Sequence, residues 1–184
     1  MRVADALMDK MLAYHAGTPE EEAARVRILG HLRSGGALFD RHRWNGHLTG
    51  SAFLLDSAGA RLLLIHHRKL DRWLQPGGHG EISEIDPLAV AMREATEETG
   101  VTGLTIFPGY PDPFDLDVHT IPARPDEPAH EHLDIRYVLA VPEDAVIRVD
   151  LAEVRAARWF SLEEAAGLPD VSVARVARKL LGTR

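Results

Sequence analysis

The sequence predicts an α/β protein in which a mixed β-sheet packs between helices. Short apolar runs at 47–56 and 60–69 flank Ser57-Ala58-Gly59, a pattern typical of a β-hairpin. A further run at 132–141 alternates apolar and polar residues, as expected of a half-buried strand. Helical patterns separate these runs, so hairpins and helical crossovers occur in one chain, which indicates a mixed sheet.

Two helices are predicted ahead of the first strand. Residues 3–15 carry apolar residues at helical spacing. Thr18 is a suitable N-cap and Pro19 a suitable first residue for a second helix, which we expect to end at Gly35-Gly36. The predicted organisation is therefore a helical extension at 1–36 and a main domain at 37–184.

The rest of the main domain continues the same mixture. Strand-like runs occupy 104–109, 114–121 and 155–160. A helix is expected to begin at Ser161, which forms a capping box with Glu164, and the segment 171–181 is predicted to be a closing helix.

Composition excludes several functional classes. The net charge is −7 without a basic stripe, so we expect no nucleic-acid partner. There is no cysteine, which excludes disulfides, thiolate nucleophiles and cysteine-ligated metals. No run reaches the roughly 20 apolar residues that span a bilayer, so no membrane association is expected. The start of the chain does not resemble a signal peptide, and a cytoplasmic protein is expected.

The segment 87–99 has the signals of a helix at both ends. Asp86 is a good N-cap, Pro87 a good first helical residue, and Gly100 suits the left-handed position that follows a helix. We expect the helix to pack on the sheet through a stripe of four residues, namely Leu88, Met92, Ala95 and Thr99.

The end of this helix carries three carboxylates that local electrostatics disfavours. Glu94 precedes Glu97 and Glu98 by three and four residues, and each such like-charge pair costs about 0.2–0.5 kcal/mol. The C-terminal end of a helix also disfavours anions, and Arg93 is the single nearby cation in this segment. A solvated acidic face is the ordinary alternative. We interpret the cluster as a site for Mg²⁺ or Mn²⁺, which prefer carboxylate oxygens.

The segment GGHGEISEIDPLAVAMREATEETGV at 77–101 resembles the Nudix box. Gly78 and Glu84 fit the first interval of that motif, and the stretch from Arg93 to Val101 fits its second half. Eight residues rather than seven separate Glu84 from Arg93, so either Glu84 or Glu81 is a candidate for the loop glutamate. The resemblance covers about 47–168, and the N-terminal helices lie outside it.

The resemblance implies a Nudix-type α/β/α sandwich that hydrolyses a phosphoanhydride bond in a small nucleoside diphosphate derivative. It implies Mg²⁺ or Mn²⁺ held by Glu94, Glu97 and Glu98, with a backbone carbonyl from the region of Gly78. Arg93 would orient Glu97.

For the general base, the resemblance leaves a box glutamate or an acid of a later loop open. Glu127 and Glu131 lie in that later part of the chain.

Contacts to the substrate are less constrained. Arg68 and Arg72 precede the box and are candidates for binding phosphates, with ordinary surface cations as the alternative. Further candidates lie in the segment 119–136, namely Arg124, Glu131 and His132. Trp73 and Trp159 are expected to pack in the core or at its rim. Three residues are candidates for lining a base pocket, namely Phe107, Tyr110 and Phe114.

Histidines are frequent in the same segment. His130 and His132 lie two apart on a predicted strand, so their imidazoles face one side and can bind zinc or a substrate. His119 is nearby, but no third zinc ligand is apparent from the sequence. Polar surface histidines are the alternative interpretation.

Two other functions compete with hydrolysis. A Nudix-fold nucleotide-binding or regulatory module without catalysis would be expected to have lost box glutamates, but Glu94, Glu97 and Glu98 are all present. Isopentenyl-diphosphate isomerase shares the fold but uses a cysteine, which this chain lacks.

The N-terminal helices are a candidate element for a homodimer.

Overall fold

A computed structural model describes residues 3–81 and 84–183 of the chain. Ile82 and Ser83, which belong to the segment that resembles the Nudix box, lie outside the described residues. The helices are α1 (Val3–Ala13), α2 (Pro19–Ser34), α3 (Pro87–Thr99), α4 (Leu162–Ala166) and α5 (Val171–Gly182). The strands are β1 (His47–Leu55), β2 (Arg61–His67), β3 (Arg72–Leu74), β4 (Gly77–His79), β5 (Thr105–Ile106), β6 (Asp115–Ile121), β7 (His130–Ala140) and β8 (Val154–Ser161).

The strands form one mixed sheet, as predicted. Its main path runs β3-β2-β1-β7-β5, while β4 pairs with β1, β6 with β7 and β8 with β2. β1 and β7 are parallel, and the other pairings are antiparallel. The predicted hairpin is confirmed as β1 and β2. The glycine-rich start of the segment that resembles the Nudix box forms the short strand β4, which pairs with residues 49–51 of β1.

Helices cover the two faces of the sheet, which confirms the α/β/α sandwich. One apolar cluster joins the sheet to α1, α2 and α3, and the other joins it to α4 and α5. Leu7, Met11 and Ile28 are buried in the first cluster together with Leu116 and Leu133 of the sheet. The N-terminal helices therefore share the core of the main domain, and the boundary at 36/37 stays a prediction. Within the described residues, no helix is long and apolar enough to span a membrane.

The polar side of β7 is buried rather than exposed. Arg136 Nε donates to Asp134 at 2.7 Å, and Arg136 Nη1 contacts Asp115 at 3.2 Å. Arg175 of α5 also binds Asp115, at 2.7 Å. The prediction of a half-buried strand was wrong because β7 lies between β1 and β6 under helices, so its charged residues must pair with one another.

The helix α3 has the predicted ends but a different buried face. Asp86 caps its start, and Gly100 at φ 70° ends it. The residues that are buried are Pro87, Val90, Ala91, Ala95, Glu98 and Thr99, whereas Leu88 and Met92 of the predicted stripe are only half-buried. The helix is rotated relative to the predicted stripe because the backbone at Pro87 and Ala91 packs directly on Gly50 of β1. A Cβ on residue 50 would clash with both, so glycine is needed there.

Candidate functional site

The carboxylate end of α3 lies directly against β4. Glu98 is only 5% exposed, and its Oε2 accepts a hydrogen bond of 2.9 Å from the backbone N–H of Gly77. A Cβ on Gly78 would lie 2.7 Å from the carboxyl carbon of Glu94. The backbone of β4 therefore touches both carboxylates, which requires glycine at 78.

Arg93 connects the acidic residues of this region. Its guanidinium donates to both oxygens of Glu84 at 3.0 Å, to Glu94 at 3.0 Å and to Glu97 at 2.9 Å. It also donates to the carbonyl of His79 at 2.7 Å. One planar cation thus fixes three carboxylates and the end of β4. The hydrogen bonds to Glu84 and the charge of Glu94 raise the pKa of Arg93, despite its partial burial.

The structure places Glu84 rather than Glu81 beside Arg93. The side chain of Glu81 is exposed, and its backbone N–H donates to Glu84 at 2.8 Å. The additional residue between Glu84 and α3 is therefore accommodated in the loop without removing Glu84 from the cluster.

Burial and mutual repulsion make the carboxylates unusual acids. Burial, together with the charges of Glu94, Glu153 and Glu97, raises the pKa of Glu98 to about 8. Burial also raises the pKa of Glu94, although Arg93 opposes this. A divalent cation would stabilise their ionised forms, so these oxygen donors fit a hard metal ion.

Glu153 is a neighbour of the cluster that the sequence did not indicate. Its charge raises the pKa of both Glu94 and Glu98. Its carbonyl accepts a 2.8 Å hydrogen bond from the N–H of Arg68, and the nearby N–H of Asp150 contacts the carbonyl of Glu98 at 3.3 Å. No motif marks Glu153, because only the folding of the segment before β8 onto the end of α3 brings it here.

Of the candidate substrate contacts, Arg68 is linked to this region by the hydrogen bond from its backbone N–H to the carbonyl of Glu153. Arg72 pairs with Asp170 at 3.2 Å, in front of α5.

The other candidates engage partners outside the carboxylate cluster. The exposed Arg124 lies 3.8 Å from Glu127, and Glu131 binds Arg27 of α2 at 2.7 Å. Glu127 also contacts Arg41, at 3.3 Å. Neither Glu127 nor Glu131, the two later acids considered as bases, contacts a box glutamate among the described contacts.

His132 belongs to a histidine cluster beside β4. Its Nε2 lies 3.1 Å from Nε2 of His79, and its ring packs near those of His47, His119 and His130. Burial and the neighbouring imidazoles lower the pKa of His47 to about 4 and that of His132 to about 2. These rings are therefore neutral at physiological pH.

The candidate aromatic residues lie mainly with the second apolar cluster. Phe107 and Tyr110 line a cavity of about 150 Å³ together with Leu180 of α5. The ring of Phe114 meets that of Tyr110 edge to face at 4.9 Å. These residues belong to the α4/α5 side, whereas α3 packs in the first cluster, so the structure does not bring them to the carboxylates.

Trp73 and Trp159 pack as expected. Trp73 contacts Phe160 at a ring distance of 5.1 Å. Trp159 packs against the first cluster, and the guanidinium of Arg61 lies over its ring, 5.3 Å from the ring centroid.

Comparisons with known proteins agree on one family. The NUDIX domain model matches residues 47–181. A probable DHNTP pyrophosphohydrolase of Lactococcus lactis subsp. cremoris is 31% identical over 139 residues, which are 74% of this chain and 78% of that protein. A C. elegans Ap4A hydrolase in a binary complex has a TM-score of 0.58 at 20% identity, covering 74% of this chain and 96% of its own.

A second solved structure, the E. coli dihydroneopterin triphosphate pyrophosphohydrolase, has a TM-score of 0.53 at 19% identity. That match covers 73% of this chain and 95% of the other. At these identities the two structures support the fold, whereas the family model and the bacterial relative support the family. The chain is therefore a member of the Nudix family of pyrophosphohydrolases.

Proposed function

We propose that this protein hydrolyses a phosphoanhydride bond in a small nucleoside diphosphate derivative, using Mg²⁺ or Mn²⁺. The observation that carries the proposal is the buried carboxylate of Glu98. It lies beside Glu94, its pKa is raised to about 8, and Arg93 organises the surrounding acids. A buried carboxylate without a cation partner is costly to ionise, and a bound divalent cation relieves that cost.

The proposed metal ligands are Glu94, Glu97 and Glu98, with a backbone carbonyl from the region of Gly78. Glu98 already accepts a hydrogen bond from Gly77 on one oxygen, which fixes the direction of its carboxylate. Glu97 is 56% exposed and approaches from the solvent side. Arg93 orients Glu94 and Glu97, and so acts as a positioning residue.

When bound there, the cation would neutralise phosphate charge and make an attacking water more acidic. The chain's own residues then need to hold the phosphates and accept a proton. Arg68 is exposed and follows β2 next to Glu153, so its guanidinium is available to contact a phosphate. Arg72, Arg124, Glu131 and His132 remain weaker candidates, because each is engaged elsewhere in the structure.

Glu153 is the acid that we propose as the general base, in preference to Glu127 and Glu131. It is exposed, so it can reach solvent. Its charge raises the pKa of both Glu94 and Glu98, so it lies near them. Glu127 and Glu131 are instead paired with arginines. This assignment predicts that Glu153→Gln lowers kcat with little change in KM, whereas Glu131→Gln changes neither strongly.

The relatives narrow the substrates to examine first. The bacterial relative is named for DHNTP, and the C. elegans structure for Ap4A. Both kinds of compound contain phosphoanhydride bonds attached to a heterocycle-bearing group. We propose that class for this chain, without a preference for one base or sugar.

The alternative is a nucleotide-binding module of the same fold without catalysis. Both functions predict ligand binding, but only the hydrolase predicts product that increases with time. A panel of nucleotide sugars, dinucleoside polyphosphates, nucleoside triphosphates, dihydroneopterin triphosphate and CDP-alcohols would be incubated with Mg²⁺ or Mn²⁺. Saturable binding without product from any compound would favour the alternative.

Two further parts of the proposal concern the setting of the enzyme. We propose a cytoplasmic location and a homodimer that uses α1 and α2. The large apolar side chains of Leu12 and Val26 on these helices are 55% and 57% exposed. Sedimentation of the wild type and of Leu12→Glu/Val26→Glu tests the dimer, and a monomeric wild type would contradict it.

A further inference from the structure

The sheet assembles a second cluster of possible metal ligands, separate from the carboxylates. β1 and β7 are paired so that His47 lies opposite His132. β4 pairs with the other side of β1, with Thr49 opposite His79. Because residues two apart on a strand share a face, these three histidines point to the same side of the sheet.

His130 completes the group from the same strand as His132. One nitrogen each of His47, His130 and His132 lie within 4.8 Å of one another. His130 Nδ1 lies 2.9 Å from the carbonyl of Pro128, which fixes its ring and leaves Nε2 for another partner. This arrangement of an imidazole oriented by a backbone carbonyl is common among metal-binding histidines.

His47 needs a partner that the described protein does not supply. Its side chain is fully buried, and neither ring nitrogen makes a hydrogen bond of normal geometry among the described residues. The backbone of Arg43 lies close enough to raise the pKa of the ring slightly, but burial and the neighbouring histidines outweigh it and lower that pKa. A neutral imidazole has one donor and one acceptor, and buried polar atoms in proteins are nearly always satisfied. The unpartnered ring faces His79, His130 and His132 at centroid distances of 4.9–5.2 Å.

The spacing fits a tetrahedral ion. Zinc–nitrogen bonds of about 2.0–2.1 Å at tetrahedral angles place ligand nitrogens about 3.3 Å apart. The Nε2 atoms of His79 and His132 are 3.1 Å apart, close to this spacing. One nitrogen each of His47, His130 and His132 lie within 4.8 Å of one another, so these side chains must move inward to reach it. We propose that His47, His79, His130 and His132 bind one Zn²⁺ ion.

The chemistry of the donors separates this site from the carboxylate site. Imidazole nitrogens favour zinc and neighbouring transition metals, whereas Mg²⁺ prefers oxygen. The two sites are nevertheless connected, because the carbonyl of His79 accepts a hydrogen bond from Arg93 and Gly78 precedes His79. A closed site of four protein ligands would tie together β4, β1 and β7, so the proposed zinc is structural and positions the strand β4, which contacts Glu94 and Glu98.

His119 supplies an internal comparison. Its ring centroid lies 5.3 Å from that of His132, but its Nδ1 contacts Asp117 at 3.0 Å and its side chain is 46% exposed. It therefore lies at the margin of the cluster, outside the proposed ligand set. His15→Gln provides a control at an exposed histidine of the α1–α2 connection.

The test measures metal content directly. Full-length protein carrying Glu98→Gln, which weakens the carboxylate site, would be stripped with chelator, loaded with Zn²⁺ in excess Mg²⁺, dialysed and analysed by elemental mass spectrometry. We expect about one zinc per chain in the Glu98→Gln protein. The same content is expected in the double variants that also carry His119→Gln or His15→Gln. We expect at least a tenfold lower zinc content with His47→Gln or His132→Gln added.

A spectroscopic titration covers the case in which a histidine variant does not fold. Co²⁺ added to stripped protein with all histidines intact is expected to give the intense visible absorption of a tetrahedral site, and Zn²⁺ is expected to abolish it. Absence of that absorption would overturn the proposal. So would equal zinc content in folded His47→Gln and its parent, because zinc binding would then not depend on the buried histidine that the proposal makes a ligand.

Discussion

Replacing Glu98 by glutamine tests the electrostatics of the carboxylate site through stability. Glu98 is 5% exposed, and its pKa is raised from 4.5 to about 8 in the metal-free protein. Glutamine has nearly the same shape and keeps an acceptor for the N–H of Gly77. The substitution therefore removes the ionisable group while preserving the packing and the hydrogen bond.

The raised pKa sets both the sign and the size of the effect. At pH 7 the unfolded chain has an ionised Glu98, whereas the folded metal-free protein holds most of it protonated. Stability from this group is fully present below pH 4.5 and is lost as the pH rises towards 8. Between pH 4.5 and pH 7 the loss is about 3 kcal/mol, at 1.36 kcal/mol per pH unit. Glu98→Gln should recover most of it, or about 6–12 °C in Tm.

Thermal unfolding with chelator at pH 5 and pH 7.5 measures this difference. We expect Glu98→Gln to be clearly more stable than the wild type at pH 7.5 and nearly equal to it at pH 5. Saturating Mg²⁺ should stabilise the wild type and have little effect on the variant. Glu163→Gln, at an exposed glutamate of α4, is the matched control. A variant that is less stable than the wild type at pH 7.5 without metal would refute the reasoning.

Three further predictions follow from individual contacts. Arg93→Lys should lower kcat/KM by about 10–100-fold, because an ammonium cannot span the carboxylates and the His79 carbonyl; activity near the wild-type level would contradict this. Gly78→Ala should weaken Mg²⁺ binding in calorimetry, because its Cβ meets Glu94, and unchanged affinity would argue against that contact. Glu21→Gln should destabilise the protein by up to about 3 kcal/mol at pH 7, measured by urea unfolding. The reason is that Lys179 and Tyr14 bind the buried carboxylate of Glu21 and lower its pKa to about 2, although burial opposes this. That stability is present above pH 4.5 and lost as the pH falls through 2, so a difference that persists at pH 2 would exclude this cause.

Local signals in the sequence were sufficient for the ends of α3 and for the carboxylates it carries. Asp86 and Gly100 act through neighbouring backbone atoms, so their effect can be read from a few residues. The burial of Glu98 could not be read in this way. It depends on Gly50, which is far away in the sequence and allows the helix to rotate towards β1. The apolar stripe through Leu88 and Met92 was therefore a misleading guide to the buried face.

Pairing between distant strands explains the other differences. The sequence showed His130 and His132 on one face of a strand but offered no third ligand. His47 and His79 join them only through the registers of β1 with β7 and β4. Glu153 likewise reaches the carboxylates through the folding of the segment before β8, and no spacing rule connects it to α3.

The central claim is that Glu98 and its neighbours hold the divalent cation on which hydrolysis depends. The most direct measurement is the initial rate of product formation as a function of Mg²⁺ concentration, for the wild type and Glu98→Gln, on the best substrate of the panel. We predict a saturable dependence on Mg²⁺ in the wild type, no activity with chelator, and a loss of at least about 100-fold in the variant at every Mg²⁺ concentration. Hydrolysis at the wild-type rate by Glu98→Gln, or by the wild type without a divalent ion, would contradict the claim.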